Sequence, residues 1–322
     1  MSDSYVLGLD LGGTKIAAAV FDEQHRRITD VYALPTMANQ PAKLTLLNLK
    51  RALGQAIRAA ELDGPLLALG MGSPGRLDES TGSIVANNLP HLQNFPLARF
   101  LSEKFRAPLF WENDANCFTL AEALVGAGAG HTSVVGLTLG TGFGCGLVVN
   151  SQLYHGNTGA VGELSHCRIA GGSFDEMLSG DGVRRFYERV IAGMGNISLP
   201  ASQISKIADS TPSTKKIGGM AENGDPAAVK AWALFGQALG EAIGIIVSVI
   251  DPAICVIGGS VATRFDLFHP TLKLALDSSV RSSATGGPRI EPSHLKNAAG
   301  VVGAAEHAFV RLANQRCADS PL

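Results

Sequence analysis

The chain predicts an α/β protein of about two domains. Three observations carry that reading. Apolar runs of strand character alternate with stretches of helical spacing over much of the chain. A length of 322 residues is more than one hydrophobic core usually serves. One strand-and-turn pattern is also written twice, half a protein apart. "VLGLDLGGT" at 6–14 returns as "VVGLTLGTG" at 134–142, matching in five of the first seven positions at an offset of 128. At the same offset Val20-Phe21-Asp22 falls on Val148-Val149-Asn150.

Composition excludes several classes. Apolar residues make up 46% and charged residues 17%, as in ordinary folded proteins. A net charge of −2 offers no broad basic surface for nucleic acid or anionic lipid. The start, "MSDSYVLGLD", has no basic segment or cleavage site of a signal peptide. The apolar stretch Ala242 to Ile250 reads as too short to span a bilayer. Five scattered cysteines without CxxC spacing read as reduced thiols in a cytoplasmic protein.

Taken in order, each of the echoed segments reads as a hairpin: an apolar run, a glycine-rich turn, then a second apolar run. Leu44 to Leu62 has helical apolar spacing. "LLALGMGSPG" at 66–75 is a buried-type strand, and "APLFWENDAN" at 107–116 another, ending in polar residues. A helix follows, "CFTLAEALV", and the glycines after Val125 stop it at a natural boundary. Residues 151–183 are rich in loop formers, with a helical region from Val183. Asp225-Pro226 reads as a cap and first helical residue of a helix running to about Val249. "DPAICVIGGSV" at 251–261 is a further buried strand, and a last helix occupies the tail from Gly300.

A glycine turn lined with N–H groups holds an anion, and two of them can grip a polyphosphate from both sides. Asp10 and Thr14 lie in the first turn and Thr141 in the second. A carboxylate beside a triphosphate is best explained by magnesium and its waters. Plain tight turns without a ligand are the alternative reading of either hairpin alone. No GxxxxGK[ST] loop occurs, and the glycines join two strands rather than opening a helix, so this is no dinucleotide fingerprint.

"LDLGGTKIAAAVFD", "LTLGTGFGCGL" and "VIGGS" resemble the phosphate 1, phosphate 2 and adenosine motifs of the actin-like ATPase superfamily. With "ENDANCFTLAEA" and "GAVGELSH" the chain resembles, over nearly its whole length, the ROK family of bacterial sugar kinases. The resemblance implies two RNase-H-like lobes around a nucleotide and sugar cleft: a small lobe of 1–118 plus 300–322 and a large lobe of 119–299. It implies ATP and Mg²⁺, with Asp10, Gly12, Gly13, Thr14, Lys15, Gly140, Thr141, Gly142, Gly258 and Gly259 at the nucleotide and Asp10 holding the metal through water. It also implies a small-molecule sugar substrate and a homodimer.

By the same resemblance Asp114 is the general base toward the sugar's primary hydroxyl; its plain alternative is a helix N-cap. Sugar contacts map onto Gly75, Asn88, Asn113, Asp114, Glu163, His166 and Asp175, with Glu176 the rival of Asp175 and a simple polar-loop role the rival for His166. The family's cysteine cluster is missing: Cys167 is the only thiol near His166. One thiol and one imidazole cannot close a tetrahedral zinc site, so no structural zinc is expected. The function expected is an ATP-dependent kinase of a hexose or N-acetylhexosamine. The alternatives are a catalytically degenerate sugar or nucleotide sensor, and a sugar-responsive repressor, for whose DNA-binding domain the five residues before Val6 leave no room.

Overall fold

In a computed structural model, residues 4–193, 211–280 and 287–319 are described. The chain forms two compact units, one of Met1–Val125 with Asn297–Leu322 and one of Gly126–Lys296. The boundary expected after residue 118 falls inside a helix of the first unit. Residues 320–322 of the expected small lobe lie outside the described residues.

The first unit opens with β1 (Tyr5–Leu11) and β2 (Lys15–Asp22), both almost wholly buried. Edge strand β3 (Tyr32–Pro35) and helix α1 (Ala42–Ala60) follow. The helix buries its Leu49, Ala52, Leu53 and Ala56 face, the 3.6-residue spacing read from the sequence. Next come β4 (Leu66–Ser73), the small hairpin β5 (Arg76–Asp78) and β6 (Ser83–Val85), α2 (Leu97–Phe105) and β7 (Leu109–Asn113). Helix α3 (Asp114–Val125) begins three residues earlier than "CFTLAEALV" suggested. The reason is local: Asn113 Oδ1 accepts from the backbone N–H of Ala115 (2.9 Å) and Asn116 (3.4 Å), so the last strand residue is also the helix cap.

The second unit repeats the plan. It contains β8 (Ser133–Leu139), β9 (Phe143–Val149) and the short β10 (Gln152–Leu153). A mainly irregular stretch carries β11 (Arg168–Ile169), β12 (Gly172–Ser173) and the one-turn helix α4 (Phe174–Met177). Helix α5 (Gly180–Ile191) starts three residues before Val183, and the region expected to continue it at 194–210 lies outside the described residues. Then come α6 (Thr214–Glu222), α7 (Pro226–Ile250), β13 (Ile254–Gly258), α8 (Phe265–Ser279) and β14 (Arg289–Pro292). The chain returns to the first unit with α9 (Ala299–Asp319), which packs on β1, β4 and α3.

Both units hold a five-stranded sheet of one topology. The orders are β3-β2-β1-β4-β7 and β10-β9-β8-β13-β14. In each, the hairpin and its edge strand pair antiparallel and the remaining two strands join in parallel. The duplicated sequence is a duplicated sheet.

Helix α7 corrects one expectation. Ala242 to Ile250 is the end of a 25-residue helix long and apolar enough to cross a membrane. Most of its apolar face lies in the second unit's core: Trp232 and Phe235 are fully buried and form an aromatic cluster with Phe268 of α8, while Val229, Ile245 and Val249 are exposed. Asp225 caps it, accepting from Ala228 N at 2.8 Å, with Pro226 as first helical residue.

Candidate active site

In the first unit the site is built on the turn between β1 and β2. Leu11 pairs with Ile16, and Gly12 N donates to Lys15 O at 2.9 Å to close the bend. Thr14 is exposed at its tip. Asp10 is the last but one residue of β1, its side chain only 18% exposed. Burial pushes its carboxyl up to about 6, against the pull of Lys15 and with a further push from the charge of Asp114. Lys15 Nζ stands 3.8 Å from Asp10 Oδ2 and donates to Asn297 O at 3.3 Å. Asp10 lies against the start of α9, where a Cβ on Gly300 would fall 2.7 Å from the carboxylate. Any larger residue at 300 displaces it.

Asp114 is the first residue of α3, immediately after its cap. The capping alternative therefore falls to Asn113, whose side-chain oxygen does that work, while Asp114 Oδ1 accepts from Ala115 N at 2.9 Å. Beneath them Glu112 is buried; its Oε1 accepts from Asn113 N (2.8 Å) and Asn116 Nδ2 (2.9 Å), and Oε2 is 3.8 Å from His307 Nδ1 of α9. Burial and then the charges of Glu112, Asp10 and Asp114 push the Cys117 thiol far up, so it is an inert packing group. Two predicted sugar residues belong to this neighbourhood. Asn88 is exposed, with its side chain against the turn, 3.3–3.5 Å from where a Gly13 Cβ would stand. Gly75 has φ +79° and packs on Val85 O and Ala86, where only glycine fits.

In the second unit Leu139 pairs with Phe143 across the three-residue turn Gly140-Thr141-Gly142. Gly140 N donates to Gly142 O (3.0 Å), and Gly140 O accepts from Gly180 N (2.8 Å) at the start of α5. Gly258 ends β13; Gly259, at φ +89°, lies where a Cβ would meet Leu139 O at 2.3 Å. The "VIGGS" turn is thus seated on the end of β8, with Ser260 next to Gly140.

Glu163 and His166 are exposed on the loop before β11. That loop is tied down at Asp175, whose N–H donates to Ser165 O at 3.0 Å. The Asp175 carboxylate accepts from Phe143 N at 2.8 Å, so it sits on the second turn. Glu176 is engaged otherwise: with Ser173 it forms a capping box at α4 (2.9 and 3.2 Å). The Ser173 N–H holds its carboxyl below the usual range, outweighing the opposing effect of burial.

A pocket of about 470 Å³ opens beside this turn, lined by Gly140, Thr141, Ser260, Asp181, Arg184 and Lys215 among others. The last three escaped the sequence reading because isolated charges on helices carry no spacing signal; only folding brings them to the turn. Among the described residues no group of three or more His, Cys, Asp or Glu is placed to hold a metal ion. A single carboxylate among phosphate oxygens and waters is the usual protein share of a Mg²⁺ site. Asp10 fits that share, being crowded by burial and by Asp114 so that added positive charge stabilises its ionised form.

A duplicated five-stranded α/β unit with a glycine turn at the head of each hairpin defines a protein of the actin-like ATPase class. The profile of the ROK family matches residues 6–310, and the chain belongs to that family. It is 30% identical to the N-acetyl-D-glucosamine kinase of Pasteurella multocida, over 92% of this chain and 97% of that protein. To the glucokinase of Streptomyces coelicolor it is 28% identical, over 93% and 96%. Among solved structures it resembles a ROK hexokinase from Thermus thermophilus (TM-score 0.78, 30% identity, 96% and 99% covered). It also resembles a ROK glucokinase from Streptomyces griseus in complex with glucose and AMPPNP (TM-score 0.72, 26% identity, 94% and 98% covered).

Proposed function

We propose that this ROK-family protein is an ATP-dependent sugar kinase that moves the γ-phosphoryl group to the primary hydroxyl of a hexose or N-acetylhexosamine. The observation that carries the reading is the head of α3. Asp114 follows directly on a cap supplied by its neighbour and stands close enough to Asp10 at the first glycine turn for their charges to interact. A base within electrostatic reach of a phosphate turn is what phosphoryl transfer to an alcohol requires. The named relatives, kinases of N-acetyl-D-glucosamine and of glucose, support the substrate class.

In this reading Asp114 accepts the proton of the sugar hydroxyl as its oxygen bonds to the γ-phosphorus. The bond from that phosphorus to the bridging oxygen breaks, and ADP leaves with the electron pair. Asn113, its side-chain oxygen spent on the cap, offers its amide N–H₂ to a sugar oxygen. The other sugar residues of this reading are Asn88 and Gly75 on the first unit and Glu163 and His166 on the second. On the first unit Gly12, Gly13, Thr14 and Lys15 are the phosphate residues of this reading; on the second unit they are Gly140, Thr141 and Gly142. Gly258 and Gly259 shape the nucleoside end, where the pocket beside Ser260 has room for it. Asp10 would be the residue that holds Mg²⁺, which would supply charge neutralisation at the phosphates.

ADP release measured with ATP, Mg²⁺ and a panel of glucose, mannose, fructose, allose, N-acetylglucosamine and N-acetylmannosamine tests the proposal. Turnover of at least one sugar is expected. No turnover of any, by folded protein, overturns it.

A further inference from the structure

The sequence groups Asp175 with the sugar contacts, yet its carboxylate faces a backbone amide. Oδ1 accepts from Phe143 N at 2.8 Å, and an ideal Cβ on Gly142 would fall only 2.6 Å from the same oxygen. The carboxylate lies against the second glycine turn, and only glycine at 142 admits it there. The opposite end of that turn is also tied, since Gly140 O accepts from Gly180 N. The peptide groups on both sides of Thr141-Gly142 are therefore fixed by one short segment, 175–180. The aromatic rings on either side of the contact, Phe143 and Phe174, meet edge to face at 5.1 Å. The segment itself is rigidly started by the Ser173–Glu176 capping box. Through its own N–H, Asp175 is bonded to Ser165 O, next to His166.

We propose that Asp175 is a positioning residue for the phosphate turn of the second unit, joining it to the loop that carries Glu163 and His166, rather than a ligand of the sugar. The role rests on the kinase reading, with ATP as the ligand of the turn. A carboxylate that accepts from a main-chain N–H makes one of the stronger hydrogen bonds available to a loop. A three-residue turn has few other ways to keep its peptide planes aligned. The side chain works as an acceptor for the turn's own N–H, whereas a sugar-binding carboxylate would accept from the substrate's hydroxyls.

The test separates nucleotide from sugar. AMPPNP binding without sugar, and binding without nucleotide of whichever sugar the wild type phosphorylates, are measured by calorimetry for Asp175→Ala, Asp175→Asn and Asp175→Glu. For Asp175→Ala, AMPPNP affinity is expected to fall about tenfold, as for loss of a hydrogen bond to a charged group, with sugar affinity unchanged. Asp175→Asn keeps an acceptor oxygen for the Phe143 N–H, without the charge, and recovers part of the loss. Asp175→Ala that loses sugar binding while keeping AMPPNP binding overturns the proposal, and so does Asp175→Asn as damaged toward AMPPNP as Asp175→Ala. If the alanine variant does not fold, Asp175→Glu decides. Its longer arm misplaces the oxygen, so weakened AMPPNP binding with sugar binding intact supports the role and the reverse pattern refutes it. A wild type that phosphorylates no sugar, while its AMPPNP affinity still follows these substitutions, breaks the kinase reading and leaves the positioning role standing.

Discussion

The two hairpins begin as copies and part company at their turns. β1 and β8 have the same length and stand at the offset of 128 at both ends. Beyond the turn the echo slips. Leu11 pairs with Ile16 over four intervening residues, whereas Leu139 pairs with Phe143 over three. The place of Val20, opposite Leu7, is therefore taken by Leu147, opposite Val135, and not by Val148 as the constant offset implied. The extra residue lies within 12–14, because Lys15 and Gly142 hold equivalent places, each accepting through its carbonyl from the N–H of the residue that follows the first strand. The second copy has Thr138 in place of Asp10 and Gly142 in place of Lys15, the cation facing Asp10, so neither member of the pair survives there. Its carboxylate comes from outside the hairpin, as Asp175, and is spent on a backbone amide. One turn keeps a carboxylate in an environment that strains its ionisation; the other borrows one to hold its shape.

The largest way to test that division is at the chemistry placed on the first unit alone. Asp114→Asn is expected to lower kcat about 10²- to 10⁴-fold, with the sugar KM changed by roughly threefold or less and the circular dichroism spectrum intact. Retained turnover in a steady-state ADP assay would remove Asp114 as the base.

Next come two alanines that push on the two carboxylates. Gly300→Ala places a Cβ 2.7 Å from the Asp10 carboxylate, and Gly142→Ala one 2.6 Å from Asp175 Oδ1. Each forces a shift of the kind that costs about 1–3 kcal/mol, but the readouts should differ. Gly300→Ala is expected to reduce kcat, and Gly142→Ala to raise the ATP KM, each by about tenfold. The same split in both variants would erase the distinction between the turns.

A pH experiment isolates the strain at Asp10. Its carboxyl is raised from 3.8 to about 6, so the native state binds the proton more tightly than the unfolded chain. Stability from this group is full below about pH 3.8 and is lost as pH rises through about 6. Asp10→Asn, metal-free, should therefore be more stable than wild type above pH 6, by up to about 3 kcal/mol, a figure already net of the attraction of Lys15. The advantage should vanish near pH 4. Melting temperatures of both proteins across pH 4–8 check the sign, and an Asp10→Asn protein less stable at pH 8 contradicts it.

The smallest effect concerns the borrowed carboxylate's support. Ser173→Ala removes one half of the α4 capping box and is expected to cost about 1 kcal/mol, measured by urea unfolding. The ATP KM should rise modestly with it and kcat should not move.

Much of this was legible before any coordinates. The apolar alternation around two glycine turns implied two hairpins, because period-two burial and glycine bends are local signals. Asp225-Pro226 announced α7 for the same reason. The polar end of "LFWEN" marked the site, but not who caps α3. Asn113 and Asp114 are both good caps by type, and only the fold, which ends the strand at Asn113 and starts the helix at Asp114, gave the first the work. Likewise Asp175 and Glu176 are adjacent acids that spacing alone ranked without assigning. The fold divided them, one to a capping box and one to the Phe143 amide.

The sequence by itself determined the duplicated α/β class, the two turns and the residue types gathered at them, since each depends on neighbours a few positions away. The tertiary structure decided what no local pattern encodes. It set the one-residue difference in hairpin register, because pairing depends on how two strands settle against a shared core. It brought Gly300 of α9 against Asp10 and the cations of α5 and α6 to the second turn. Those placements rest on contacts between residues far apart in the chain, and their energies come from burial rather than from local propensity.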